Sequence, residues 1–364
     1  VSQEPTSGVV SAVLSGTSVT LTPAAITEDN QTAKITVTSA ETTNYKAATA
    51  TYSVTVKPGT MTITATPYEG TYDGSPHTAK IQSDVAGVSV GYSETENSYT
   101  NTVTAATANT DVELSQVTRS EGGTTIVYYQ ATLAGYKTVE GSTTIKITQA
   151  APTVTAPTAI TGLTYNDSEQ TLITAGSTTG GTLKYAIGSD GSTAPDDSAF
   201  TYTNDSLPTG KNAGTYYVWY KAFGNENYAD STAAVISVTI DKRTVTVTAP
   251  TLVTGTLIYN TEDQALLATN GSSSPVGTMY YAVNTTNTAP TSFSAAGADW
   301  STTAPTGKDA GTYYIWYYAY VDDTANNKGS DINTIKELGS KEIGKATPTV
   351  TAPTALELTY DGNE

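Results

Sequence analysis

The segment AGTYYVWYKA at residues 213–222 returns almost unchanged as AGTYYIWYYA at residues 310–319, and GGTTIVYYQA at residues 122–131 is a looser copy. Thr, Val, Tyr and Trp fit the pleated surface of a β-strand. Side chains alternate between the two faces of a strand, and we predict that one of these faces points into a core. That face comprises Tyr216, Val218, Tyr220 and Ala222 in the first copy and Tyr313, Ile315, Tyr317 and Ala319 in the second. In the looser copy the register is ambiguous by one residue.

Two further blocks recur around this strand. An opening block reads PTVTAPTAITGLTYND from Pro152, VTVTAPTLVTGTLIYN from Val245 and PTVTAPTALELTYDG from Pro348. Its tyrosine recurs at spacings of 93, 94 and 101 residues, at Tyr72, Tyr165, Tyr259 and Tyr360. A closing block begins NYKA at Asn44, GYKT at Gly135 and NYAD at Asn227. A fixed period of this kind is the mark of a repeat architecture.

The blocks divide the chain into five parts. These are an incomplete first repeat (residues 1–59), three complete repeats (60–149, 150–241 and 242–346, the last with an elaborated C-terminal part) and the opening strand of a further repeat (347–364). Each complete repeat has the size of one β-sandwich. The chain begins with Val1 and shows no signal peptide, and we expect it to be a window cut from a longer array.

Prolines and short linkers predict how the repeats are built and joined. Pro157, Pro250 and Pro353 recur in the opening block. Because proline donates no ladder hydrogen bond, the opening strand should lie at an edge or switch sheets at the proline. The closing strand runs into the next opening block almost without a linker, which predicts fixed orientations and an elongated rod. The fourth repeat departs from the pattern, since residues 322–345 lack the Asn-Tyr step.

These residues resemble the tandem bacterial Ig-like and MBG-type repeats of bacterial cell-surface proteins. The TYDG-type opening, the AGTYYVWYK strand and the closing ATATYSVTV carry the resemblance, which covers nearly the whole chain. It implies an all-β fold of tandem immunoglobulin-like sandwiches at an extracellular bacterial surface or in a secreted protein. It also implies a structural stalk or fibre, acting as a rigid spacer or filament-forming array. The main alternative is an adhesin module that binds a glycan or a host protein.

Composition excludes several other classes of function. The net charge is −17, and the 17 basic residues are scattered, whereas nucleic-acid binding needs clustered Lys and Arg. No apolar run approaches the roughly 18 residues of a membrane helix. With no Cys and one His, zinc and other histidine-ligated metals are excluded.

Catalytic candidates are few, and we predict that the chain is not an enzyme. His77 follows a turn at the start of a strand. The acidic pairs Asp196-Asp197 and Asp322-Asp323 lie in loop-like contexts without the apolar neighbours that would raise a carboxyl pKa. We expect no cofactor, and calcium bound by carboxylates near the linkers is the alternative for a metal.

Recurrent aromatics are the candidate ligand or interface residues. They are Trp219, Trp316, Trp300, Tyr217 and Tyr314. Packing against loops or a neighbouring repeat would also explain them. Repeat-specific loops at residues 189–208 and 284–305 would carry binding to a glycan or host protein. The expected partners are the neighbouring repeats and, as a further hypothesis, other copies that add the terminal opening strand to the incomplete first repeat.

Overall fold

A computed structural model of the chain describes residues 9–23 and 29–361. These residues form an all-β structure in which the only helix is one short 3-10 turn at Asp197–Ala199. The first repeat contains β1 (Val10–Ser15), β2 (Ser18–Pro23), β3 (Gln31–Ser39) and β4 (Ala48–Val56). The second contains β5 (Ile63–Thr66), β6 (Tyr68–Thr71), β7 (Lys80–Ser83), β8 (Val88–Ser93), β9 (Asn101–Ala105), β10 (Val112–Glu113), β11 (Gly123–Thr132) and β12 (Val139–Thr148).

The third and fourth repeats have shorter and more numerous strands. The third contains β13 (Val154–Thr155), β14 (Thr158–Ala159), β15 (Leu163–Thr164), β16 (Gln170–Thr171), β17 (Ile173–Thr174), β18 (Ser177–Thr178), β19 (Thr182–Gly188), β20 (Thr209–Gly210), β21 (Gly214–Phe223) and β22 (Ala234–Asp241). The fourth contains β23 (Arg243–Thr244), β24 (Thr246–Thr248), β25 (Thr251–Leu252), β26 (Leu257–Ile258), β27 (Gln264–Ala265), β28 (Leu267–Thr269), β29 (Ser272–Ser274), β30 (Thr278–Asn284), β31 (Thr306–Gly307), β32 (Gly311–Tyr320), β33 (Asn327–Lys328) and β34 (Ile335–Gly344).

The second repeat shows the sandwich most clearly. One sheet has the order β10-β7-β5 and the other β6-β12-β11-β8-β9. The core lies between the two sheets. The first sheet contributes Ile81 of β7 and, directly after β10, Leu114, and the second sheet contributes Val90, Val127 and Ile145. The pairings are antiparallel except that of β6 with β12, which is parallel. The predicted all-β sandwich fold is therefore confirmed.

The long central strand presents the predicted face to the core. Val218 and Ala222 in β21, and Ile315 and Ala319 in β32, are fully buried. In the second repeat Val127 is fully buried, whereas its neighbour Ile126 is 45% exposed, which settles the register there. The tyrosines of this face are only partly buried. The sequence pattern thus identified the core side of the strand.

The opening segment switches between sheets as predicted, although the position differs between repeats. In the second repeat Pro67 separates β5, which pairs with β7, from β6, which pairs with β12. In the third repeat the pairing partner changes at Pro157, since β13 pairs with β18 and β14 with β17, and it changes again when β15 pairs with β22. Gly162, with φ +75°, lies between β14 and β15. The predicted interruption at Pro157 is therefore present, and the chain changes its pairing partner once more after Gly162.

The third and the fourth repeat each contain a four-stranded sheet with the equivalent strand order. The order is β15-β22-β21-β19 in the third repeat and β26-β34-β32-β30 in the fourth. The described part of the first repeat has two hairpins, β1–β2 and β3–β4. By register β3–β4 corresponds to β11–β12, because Gln31 pairs with Val56 as Gly123 pairs with Ile147, and by order β1–β2 corresponds to β8–β9. Counterparts of β5, β6, β7 and β10 are not among residues 9–23 and 29–59.

The chain forms two compact units whose boundaries do not coincide with the repeat boundaries. The first unit comprises Val1–Ala156, Gly176–Lys184 and Tyr220–Ala234, and the second comprises Pro157–Ala175, Tyr185–Trp219 and Val235–Glu364. The contact between the second and third repeats lies inside the first unit. The contact between the third and fourth repeats lies inside the second unit. The contact between the first and second repeats also lies inside the first unit, so each of the three contacts between successive repeats is part of a compact unit.

Candidate functional site

The contacts between successive repeats form the most regular feature of the chain. We name them the first joint (repeats one and two), the second joint (two and three) and the third joint (three and four). At each joint, the residue that leads into a repeat pairs in parallel with the loop that precedes the closing strand of that repeat. The pairs are Gly59 with Tyr136, Ala150 with Tyr228, and Arg243 with Asn327. The entry of each repeat is therefore fixed to its own closing loop.

An asparagine in that loop then reaches back to the preceding repeat. The backbone N–H of Gly122, just before β11, donates to Oδ1 of Asn227 at 2.7 Å. The backbone N–H of Ala213, just before β21, donates to Oδ1 of Asn326 at 2.7 Å. The same hydrogen bond therefore closes the second and the third joint, at equivalent positions of both partners.

Local structure holds each asparagine in place. At the second joint, Oδ1 of Asn225 accepts the N–H groups of Asn227 at 2.9 Å and Tyr228 at 3.0 Å, which is an Asx-type turn. At the third joint, Asn326 is only 7% exposed, and its Nδ2 donates to Oδ2 of Asp323 at 2.8 Å. Contacts within the same loop thus help to hold each asparagine.

The Asn-Tyr step that the fourth repeat lacks in sequence has a structural counterpart. Asn326 stands in the place of Asn227, and Asn327 in the place of Tyr228. Asn327 is 3% exposed, and its Nδ2 donates to the carbonyl of Asp323 at 2.7 Å. Sequence comparison missed this because the second residue of the step changed from Tyr to Asn.

Tyrosine packing completes the second joint. The ring of Tyr228 meets the ring of Tyr72, from the preceding repeat, edge-on with centroids 5.3 Å apart. Gly122 has to be a glycine here, since a Cβ would lie 1.7 Å from the carbonyl oxygen of Glu226. The backbones of the two repeats therefore approach closely, with an aromatic contact beside them.

At the third joint Arg243, the residue equivalent to Ala150, contacts the tyrosine of the opening block. Its guanidinium lies 5.1 Å from the ring centroid of Tyr165 and donates to Oδ2 of Asp167 at 3.0 Å and to Oδ1 of Asn327 at 2.8 Å. A cavity of about 380 Å³ opens beside it. Asp322 and Asp323 also line this cavity.

These contacts shift the ionisation of two groups. The Tyr165 hydroxyl donates to Oδ1 of Asp167 at 2.5 Å. This hydrogen bond, with burial and the charge of Asp167, raises the pKa of Tyr165 to about 12. The hydrogen bonds from Tyr165 and then Arg243 hold the pKa of the Asp167 carboxyl below its usual value. The carboxylate therefore stays ionised beside the guanidinium across the neutral range.

The predicted aromatic residues lie beneath loops. Trp219 and Trp316 are 6% and 3% exposed, on the outer face of β21 and β32. Nε1 of Trp219 donates to the carbonyl of Asp190 at 3.1 Å, and the ring of the partly buried Tyr217 lies against Gly191. The loop at residues 189–208 thus packs on the outer side of the strand.

A larger aromatic cluster forms in the fourth repeat. Trp300 is 6% exposed, and its Nε1 donates to the carbonyl of Ser292 at 3.1 Å. Phe293 stacks on Tyr318 with centroids 3.9 Å apart, and Tyr314 packs partly buried against the same cluster. A cavity of about 480 Å³ lies between this loop and β30. The five predicted aromatics are therefore not brought together in one place.

Among the titratable candidates, Asp323 contacts a joint asparagine directly, because its Oδ2 accepts the Nδ2–H of Asn326 at 2.8 Å, whereas His77 and the Asp196-Asp197 pair have other surroundings. Nε2 of His77 is 2.9 Å from Oδ1 of Asp73, and the imidazole stacks on Tyr68 with centroids 4.1 Å apart. Asp196 precedes the short 3-10 turn that begins at Asp197. Within residues 9–23 and 29–361, no group of three or more His, Cys, Asp or Glu side chains is arranged to hold a metal ion. No helix in that part of the chain has the length and apolar character needed to cross a membrane.

Comparison with known proteins adds little beyond the fold. No protein-family model matches the sequence, and no curated protein matches it. Among solved structures, the chain is similar to the protocadherin GammaB4 extracellular domain, with 13% identity and a TM-score of 0.34 over 99% of this chain and 63% of that one. It is also similar to Drosophila N-cadherin EC1-3 (13%, TM-score 0.27, 77% and 98%). Fibronectin(III)-like modules of Clostridium thermocellum CbhA match at 16% identity and a TM-score of 0.20, over 50% and 94%.

Proposed function

We propose that this chain is a spacer segment of an extracellular bacterial surface protein, in which fixed joints hold the repeats in a stiff, rod-like array. The observation that carries this proposal is the recurrence of one inter-repeat hydrogen bond, from Gly122 to Asn227 and from Ala213 to Asn326. Because this hydrogen bond recurs at equivalent positions, the contact between successive repeats has a defined and repeated structure. Stability in such an array is a sum of repeat and interface terms, so its length can change without a new core.

Small-angle X-ray scattering of the purified chain tests the proposal. We expect a pair-distance distribution with the long tail of an extended particle and a maximum dimension that does not change with salt. A bell-shaped distribution typical of one globule would contradict it. A broad distribution of dimensions, as from beads on a flexible string, would contradict the fixed joints.

An extracellular location and a lack of enzymatic activity are parts of the same proposal. The resemblance to bacterial surface repeats supports the location, and the net charge of −17 suits a soluble, self-repelling array. The only histidine, His77, is engaged with Asp73 and Tyr68. Fractionation with an antibody to the chain would test the location, and recovery inside the cell would contradict it.

The third joint is proposed to work without calcium. Arg243 already places a permanent positive charge between Asp167, the Tyr165 ring and Asn327. A guanidinium with several donors satisfies the carboxylate directly. The calcium alternative therefore requires that the cation compete with a charge belonging to the protein.

We propose neighbouring repeats, rather than other copies, as the main partners. Residues 350–361 are exposed, and Leu358 is 88% exposed, so the segment could pair beside β4 of another copy. Such addition would mimic β15 on β22, whereas the contacts at the second and third joints are made within one chain. We expect a monomer in sedimentation velocity, and association that Leu358→Asp abolishes would contradict this.

A second candidate function is recognition of a glycan by the fourth repeat. The cavity of about 480 Å³ beside β30 is lined by Thr288, Asp299, Ser301 and Thr303, with Trp300 and Tyr281 at its base. Hydroxyl and carboxylate groups next to aromatic side chains suit a sugar. Glycan-array binding that Asp299→Ala weakens, and Asp205→Ala in the third repeat does not, would support it. The absence of binding to any glycan on the array would contradict it.

A further inference from the structure

The first joint differs from the other two at the position that closes them. In the closing loops, Asn227 and Asn326 are the acceptors of the inter-repeat hydrogen bond. Alignment of the loops through their parallel pairs with Ala150, Arg243 and Gly59 puts Gly135 at that position in the second repeat. A glycine has no side chain and cannot supply the Oδ1 acceptor. The bond that closes the second and third joints therefore cannot form at the first.

The donor side of the first joint also differs. Gly122 and Ala213 each stand one residue before a long central strand, and Asn30 holds this place before β3. The register of β3 on β4 agrees, because Gln31 pairs with Val56 as Gly123 pairs with Ile147. Asn30 is exposed. The position that is buried at Gly122 and partly buried at Ala213 is therefore exposed at the first joint.

The closing loop also differs in backbone conformation at this position, because neither Asn227 nor Asn326 has a positive φ. Gly135 has φ +83°, and a Cβ built on it would meet no atom within 4 Å. The ring of Tyr136 lies against Gly59, the entry residue of its own repeat, whereas the equivalent Tyr228 also meets Tyr72 of the repeat before it. A left-handed backbone conformation of this kind is one that only glycine adopts freely.

We propose that the first joint is a hinge, placed in the array by the change from Asn to Gly at residue 135, while the second and third joints are fixed. The surface protein then bends at a defined position and stays stiff beyond it. The inference rests on the proposed function, since a hinge has meaning only in an array whose other joints hold.

Pairs of spin labels test the hinge in the full chain, which has no native cysteine. One pair, Thr55→Cys with Lys146→Cys, spans the first joint, and a second, Thr239→Cys with Glu342→Cys, spans the third. The four positions are equivalent, exposed sites in successive closing strands. We expect double electron–electron resonance to give a broad distance distribution for the first pair and a narrow one for the second. If both were narrow, the hinge would be overturned; if both were broad, the spacer proposal itself would fail.

Two variants test the cause. Gly135→Asn supplies the missing acceptor and tolerates a left-handed backbone, so we expect the first-joint distribution to narrow to the width of the third. Gly135→Ala adds a Cβ without an acceptor and should leave it broad. Equal narrowing by both variants would overturn the proposal, because it would show that glycine flexibility alone, rather than the lost bond, frees the joint. Far-ultraviolet circular dichroism and thermal melting confirm that each variant folds.

Discussion

Oδ1 of Asn326 accepts the backbone N–H of Ala213 at 2.7 Å, across the contact between the third and fourth repeats. Asn326 itself is anchored through Nδ2 to Asp323 and Asn212, at 2.8 and 3.2 Å. A single amide group thus joins a closing loop to the start of the preceding repeat's central strand. The second joint uses Asn227 in the same way.

Substitution Asn326→Ala should loosen the third joint. It removes the acceptor and leaves the Ala213 N–H without its partner; the cost is about 1–3 kcal/mol for a fully buried donor and is smaller for this partly buried one. We expect faster hydrogen exchange of the Ala213 amide, measured by NMR. Asn270→Ala, at an exposed position of the same repeat, is the matched control and should leave that amide unchanged. Unchanged exchange in Asn326→Ala would show that the bond does not hold the joint.

The pH dependence of Tyr165 follows from its hydrogen bond to Asp167. The pKa of Tyr165 is raised to about 12 from an ordinary value of 10. Its contribution to stability is therefore complete below pH 10 and is lost as the pH rises towards 12, because the unfolded state ionises first. NMR of ring-labelled tyrosine should show Tyr165 titrating late, and Asp167→Asn should lower its pKa. Titration at an ordinary pKa would contradict the hydrogen bond.

Asp167 gives the opposite pH dependence. Its carboxyl pKa is held below the ordinary value, mainly by the Tyr165 hydroxyl and then by Arg243. The stabilisation it provides is present above the ordinary pKa of 3.8 and is lost as the pH falls through the lowered value. We expect the wild type to lose more stability than Asp167→Asn when the pH is lowered through that window, as followed by calorimetry. Parallel losses in both proteins would rule out this coupling.

Calcium should have no effect on the joints. Arg243 provides the positive charge beside Asp167, so neither calcium chloride nor a chelator should shift the melting temperature of the chain. Differential scanning calorimetry with and without EDTA measures this directly. Arg243→Gln should lower the melting temperature in both conditions. A rise in the melting temperature of the wild-type chain when calcium is added would contradict this prediction and support the calcium alternative.

Trp300 should act as the anchor of the fourth repeat's loop. It is 6% exposed and contacts Phe293 and Tyr318. Trp300→Ala should lower the free energy of unfolding of that repeat by about 3–5 kcal/mol, as for other large-to-small core changes. Denaturant unfolding followed by tryptophan fluorescence checks it, with Val283→Ala, 39% exposed, as the control. A loss of less than about 1 kcal/mol would show that the residue is not part of a packed core.

Periodicity alone predicted the sandwich and the core face of its central strand, because alternation and block recurrence are local properties of the sequence. Val218 and Ile315 are buried as the pattern indicated. It could not show that Trp219 and Trp316 are covered, because the covering loops are specific to each repeat. Pro157 marks the change of pairing partner from β18 to β17 as the sequence indicated, whereas the further change to β22 after Gly162 was not predicted, because it depends on a glycine turn specific to this segment.

The joint residues were within reach of the sequence but were not recognised. Asn44 and Asn227 begin the aligned closing blocks, so a recurring asparagine before the closing strand was the available signal. Asn326 was hidden because the tyrosine that follows it elsewhere is Asn327. Arg243 could not be predicted, since its partners Asp167 and Asn327 are 76 and 84 residues away in sequence.

The most direct measurement is the distance distribution between spin labels at Thr239→Cys and Glu342→Cys, across the third joint. With the native Asn326, fixed joints predict one narrow distance, and Asn326→Ala should broaden it. A broad distribution in the otherwise native chain, unaffected by that substitution, would contradict the account.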